Sequence, residues 1–81
     1  MLTIKVLGPG CANCRKLEEI ARAAATSAGV AAQIVKVTDM QQIVGYGVLK
    51  TPGLVIDEKL VCSGRIPGPT EVAGWIEAAR A

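Results

Sequence analysis

An α/β domain with the element order βαβαββα is what the chain predicts, and three observations carry that prediction. A short apolar run, Leu2 to Leu7, stops at Gly8-Pro9-Gly10 and gives way to residues whose apolar positions recur with helical spacing. A second run rich in β-branched residues follows a glycine stop. Two further strand-like runs, only three residues apart, precede a last amphipathic stretch. The first two strands are joined by a full helix and should be parallel, whereas the last two should pair as a hairpin. The outcome is a mixed four-stranded sheet with three helices on its two faces, in one domain spanning residues 1–81.

Each element has its own warrant. From Ala12 to about Ala28, Leu17, Ile20, Ala21, Ala24 and Ala28 fall on one side of a helix, opposite Arg15, Lys16, Glu18, Glu19 and Arg22. Gly29 supplies the helix stop, and Ala32 to Val37 reads as the second strand. Thr38 or Asp39 can cap a short helix, Met40 to about Val44, that ends at Gly45 and Gly47. Leu54 to Ile56 and Leu60 to Ser63 are the hairpin strands, with Asp57 serving the turn and Cys62 in phase with Leu60. Pro69 suits the first turn of the last helix, Glu71 favours its N-terminus, and Val72, Trp75, Ile76 and Ala79 form its apolar face.

Composition bounds what such a domain can be for. At 81 residues, 51% hydrophobic and 20% charged, the chain can bury one core but not two. Aromatics are only 2%, so that core rests on Val, Ile, Leu and Ala. A net charge of +2, spread over nine Lys and Arg without a basic run, gives no footprint for nucleic acid or a membrane surface. No apolar stretch approaches the roughly 20 residues of a membrane span, and no basic start precedes one, so a cytoplasmic location is expected; the chain is separately expected to be a monomer. Three cysteines form an odd set that fits a reactive or metal-binding pair better than a disulfide framework.

That pair is Cys11 and Cys14, in GPGCANCRKLEE, where loop becomes helix. The free N–H groups and dipole of a helix start favour a thiolate at Cys11. Such settings lower a thiol pKa from about 8.5 to roughly 3.5–7.5, making Cys11 the expected nucleophile. Cys14 lies one turn further in, on the stripe of Leu17 and Ala21, and should be more buried and act second. The pair could then exchange with a substrate disulfide without any cofactor. Gly8 and Gly10 would permit close approach beside such a site, or serve only as turn residues. A pair of inert cysteines at a helix start is the bland alternative.

The segment YGVLKTPGLVID, Tyr46 to Asp57, makes a resemblance specific. A Cys-x-x-Cys at the first strand-to-helix junction, followed by Thr51-Pro52 just before the third strand, resembles the thioredoxin and glutaredoxin superfamily. Taken alone, the proline could simply begin a strand. The resemblance implies a minimal thioredoxin-like fold and a protein-disulfide oxidoreductase. It further implies that Pro52 is cis and packs beside the dithiol, while Thr51 offers backbone hydrogen bonds to a bound polypeptide. The partners it implies are disulfide-containing proteins and a reductase or thiol donor. The compact length and the start Gly8-Pro9-Gly10-Cys11-Ala12-Asn13-Cys14 are similar to the small archaeal and bacterial thioredoxin-like redox-active disulfide proteins. Ordinary thioredoxins carry Trp-Cys-Gly-Pro-Cys, where this chain has Gly10 and Ala12-Asn13. Glutaredoxins carry a late Gly-Gly-acid segment for glutathione, where it has Cys62-Ser63-Gly64-Arg65.

Other readings attach to the same residues. Two thiolates can hold Cu(I), and pairs from two chains could complete a zinc site or bridge an iron–sulfur cluster. Small metallochaperones also carry Cys-x-x-Cys after their first strand, but their element order has one helix, not two, before the middle strands pair. A thioredoxin-like fold kept as an interaction module without turnover is a third reading. Cys62 is expected to be a small buried hydrophobe rather than a third redox thiol. Trp75 is expected to pack, and Lys5 and Lys50 are candidates for favouring thiol ionisation.

Overall fold

A computed structural model describes residues 2–8, 12–48 and 50–80. The strands are β1 (Leu2–Leu7), β2 (Ala32–Val37), β3 (Gly53–Ile56) and β4 (Lys59–Ser63); the helices are α1 (Ala12–Ser27), α2 (Met40–Gly45) and α3 (Pro69–Arg80). Their order is βαβαββα, as expected, and the four strands lie in the order β2-β1-β3-β4. β1 pairs parallel with β2, bringing Val6 opposite Lys36, and antiparallel with β3, bringing Val6 opposite Leu54.

Side-chain alternation on β1 divides the core. Leu2, Ile4 and Val6 face α1 and α3, where they pack with Leu17, Ala21, Leu54, Val72 and Ile76. Leu7 faces the other way and joins Val37, Val55 and Val48 under Ile43, the buried residue of α2. Helices therefore cover both faces, two on one and the short one on the other. On α3 the apolar face is narrower than the spacing implied, since Val72 and Ile76 are buried and Trp75 is half-buried against the core, but Ala79 is exposed. It lies in the last turn, past the reach of the sheet.

The connections follow from their residues. Gly29, at φ +69°, ends α1 and donates to the Thr26 carbonyl. Asp39 rather than Thr38 caps α2, its Oδ1 accepting from the Gln41 N–H at 2.8 Å. The β3–β4 turn is two residues, Asp57-Glu58, both at positive φ as a twisted hairpin demands, so β4 begins one residue earlier than expected; β3 also begins one residue earlier, at Gly53, paired with Leu7 and Ser63. Asp57 also accepts from the Thr3 N–H, tying the turn to β1. One difference alters the reading of β4. A register shift between Leu54 and Val55 pairs Leu54 with Cys62 but Val55 with Leu60. Cys62 and Leu60 therefore do not share a face: Cys62 is buried in the α1/α3 core, whereas Leu60 is exposed.

Candidate active site

The parallel β1–β2 pair ends with the Gly8 N–H donating to the Val37 carbonyl at 2.9 Å, which sets Gly8 and Thr38 side by side at the C-terminal edge of the sheet. α1 packs back across this edge, and Cys14, in its first turn, turns inward with Leu17 and Ala21; Cys14 is 5% exposed. Gly8 has to be glycine for this. A Cβ placed there would overlap the Cys14 Sγ, with Cys14 Cβ at 3.4 Å and Thr51 Cβ at 3.7 Å beyond it. The choice left open by sequence, close approach or plain turn residue, is thus decided for Gly8 in favour of close approach. Gly10 and Cys11 lie outside the described residues, whereas Ala12 and Asn13 are exposed in the first turn of α1.

The third wall comes from a distant part of the chain. The Thr51–Pro52 peptide bond is cis, Pro52 is buried, and Thr51 is half-buried against the Gly8–Cys14 contact. The Gly64 N–H donates to the Pro52 carbonyl at 2.9 Å, fixing the loop after β4 to the same end of the sheet. Of the residues singled out from sequence, Cys14 and Thr51 therefore come together at Gly8, with Pro52 following Thr51 through the cis bond.

Beside Cys14 opens a recess of about 260 Å³ lined by Val6, Gly8, Arg15, Glu18, Lys36 and Thr38. Glu18 was expected to solvate the outer face of α1, but its carboxylate is 17% exposed, bonded to Arg22 at 3.0 Å and to Lys36 at 3.2 Å. Arg22, then Lys36, hold its carboxyl below the ordinary glutamate range. Sequence reasoning passed over Arg15, Glu18, Lys36 and Thr38. The signal was present: Glu18 is one helical turn past Cys14, and parallel pairing of β1 with β2 sets Lys36 beside Val6 and on the same face.

Lys5 is not a neighbour of the thiol. It points to the α2 side of the sheet, donating to the Tyr46 hydroxyl at 2.6 Å and to Glu58 at 2.5 Å. Glu58 and then Tyr46 raise its pKa. Lys50 does adjoin the site, being exposed immediately before Thr51. Cys62 Sγ lies 3.8 Å from the Arg65 carbonyl and is buried, in keeping with a packing role.

Comparison with known proteins shows the family. The thioredoxin-domain family model matches residues 2–77. A thioredoxin of Methanothermobacter thermautotrophicus is 39% identical over 72 residues, which cover 89% of this chain and 94% of that protein. A thioredoxin of Methanocaldococcus jannaschii is 38% identical over 72 residues, covering 89% and 83% respectively. The chain belongs to the thioredoxin-domain family, and its βαβαββα fold is thioredoxin-like. No described helix is long and apolar enough to cross a membrane.

Proposed function

We propose that the protein is a thiol-disulfide oxidoreductase acting on protein disulfides through Cys11 and Cys14, in the cytoplasm and without a cofactor. The observation that carries this reading is the convergence of Cys14, Gly8 and the cis Thr51–Pro52 bond at one edge of the sheet. Membership of the thioredoxin-domain family supports it, as do relatives that are themselves thioredoxins.

In this mechanism the Cys11 thiolate attacks one sulfur of the substrate disulfide, forming a mixed disulfide and expelling the other sulfur as thiolate. α1 begins at Ala12, so its first-turn N–H groups follow Cys11 directly along the chain and favour the thiolate. The Cys14 thiol loses its proton and attacks the Cys11 sulfur, releasing the second substrate thiolate and leaving a Cys11–Cys14 disulfide. Two electrons have passed to the substrate, and an external dithiol or reductase restores the pair. Burial of Cys14 suits this order, because a shielded thiol is reached only by a sulfur already tethered beside it. Backbone groups at Thr51, beside Pro52, would align the substrate chain as an added strand.

The test is disulfide reduction by metal-free protein with dithiothreitol as donor, in wild type, Cys11→Ser and Cys14→Ser. Turnover should vanish without Cys11. Without Cys14 it should stall, with a covalent adduct accumulating. Activity that survives loss of Cys11, or that requires stoichiometric metal, would overturn the assignment and favour the metal-binding reading.

A further inference from the structure

The charge around the Cys14 edge is lopsided, and the thioredoxin-like fold does not require it. On one flank, Arg15, Arg22 and Lys36 outnumber two acids: Glu18, bonded to Arg22 and Lys36, and the exposed Glu19, one helical turn past Arg15. On the other flank, Lys50 precedes Thr51, and Arg65 follows Gly64, whose N–H holds the Pro52 carbonyl. Lys50 packs against this loop, its Cβ 3.3 Å from where a Gly64 side chain would begin. Two further carboxylates are committed within the chain: Glu71 to Arg65 at 2.9 Å and to the Gly68 N–H, and Asp39 to the N-terminus of α2. Among the described residues no ion pair engages Arg15 or Lys50, and both are exposed. The acids Asp57 and Glu58 stand at the opposite end of the sheet, in the β3–β4 turn.

We propose that the polypeptide this site reduces carries aspartate or glutamate beside its disulfide, docked between the Arg15–Lys36 flank and Lys50. This rests on the disulfide-exchange reading above. The recess next to Cys14 offers a seat for one acidic side chain, walled by Arg15, Lys36 and Thr38. Glu18 also lines it, but it is one carboxylate against two cations there, Arg15 and Lys36, and is itself bonded to Arg22 and Lys36. Lys50 would meet an acid on the other side of the bound segment, Arg65 being held by Glu71. Charge of this kind acts mainly on encounter and partner choice, so it should appear in kcat/KM at low salt and be screened at high salt.

The experiment uses two synthetic peptides that close the same disulfide loop and differ only in having Glu or Lys beside the cysteines. The neutral bis(2-hydroxyethyl) disulfide serves as third substrate. Rates are taken over the uncatalysed dithiothreitol background at low and at high sodium chloride. The Glu peptide should be preferred over the Lys peptide by roughly tenfold at low salt, the preference collapsing towards unity at high salt. Arg15→Glu combined with Lys50→Glu should invert the order, and Lys50→Glu alone, a change at a single exposed site, should shrink it. Equal rates at low salt, a preference for the Lys peptide, or a preference indifferent to both variants would each overturn the docking proposal. These results leave disulfide exchange standing if the neutral disulfide is turned over. No turnover of any of the three substrates would overturn both.

Discussion

Gly8 is the residue at which the smallest chemical change should disturb the site most. Its missing side chain is what admits the Cys14 sulfur, so Gly8→Ala must displace α1, β1 or the thiol itself. Such overpacking costs about 1–3 kcal/mol, read as a lower urea midpoint of the reduced protein, and should slow resolution of the mixed disulfide. An unchanged midpoint with unchanged resolution would contradict the contact. Cys62 supplies the opposite case. Buried with Leu54 and away from the Gly8–Cys14 contact, it should behave as a small hydrophobe: Cys62→Ala should cost about 1 kcal/mol and keep turnover. Loss of turnover would place a third thiol in the chemistry. The inward stripe of Cys14, Leu17 and Ala21 could be read from helical spacing alone. The need for Gly8 could not, because it arises only when α1 closes over the end of β1.

Among the elements, α2 is the most dependent on a single side chain. It is six residues long and buries only Ile43, so it leans on the Asp39 cap. Asp39→Ala should cost about 1 kcal/mol, which in a domain of this size lowers Tm by roughly 4–8 °C. A Tm within a degree of wild type would mean that the cap does not hold α2. The hairpin shows where sequence patterning stops being sufficient. Strand alternation placed Cys62 with Leu60, and the register shift opposite Leu54–Val55 separates them. The shift appears in the pairing of β4 with β3, and no local residue choice in Lys59–Ser63 announces it. The short helix, by contrast, was legible because a cap and two glycines bracket it.

At the scale of the whole molecule, α1 and α3 share one core with the sheet, and that shared layer holds the domain together. Ile76 is fully buried within it, so Ile76→Ala should cost about 2–5 kcal/mol. A natural domain of this length has a margin of roughly 4–12 kcal/mol, so the variant should unfold at a far lower urea concentration. Acid should also weaken the fold. Glu18, Glu58 and Glu71 each titrate lower when folded, because Arg22, Lys5 and Arg65 respectively are their nearest cations. A carboxyl depressed in the folded state stabilises fully above its unfolded value of about 4.3, and the contribution is lost as pH falls through the lower folded value. Urea midpoints should therefore be level from pH 7 to about 5 and fall below about 4; a midpoint that rises on acidification would contradict the pairing. Element order, sheet composition and the meeting of Cys14 with Thr51-Pro52 were all within reach of the sequence, since each follows from spacing or family resemblance. The charged recess was not, because Lys36 joins it only through the β1–β2 register. Disulfide exchange at this site depends on the order in which the two cysteines act. The most direct measurement is a single turnover of Cys14→Ser with a disulfide peptide, quenched by acid and analysed by mass spectrometry after proteolysis. The account predicts one equivalent of peptide joined to Cys11, released by dithiothreitol; an adduct on Cys62, or none at all, would contradict it.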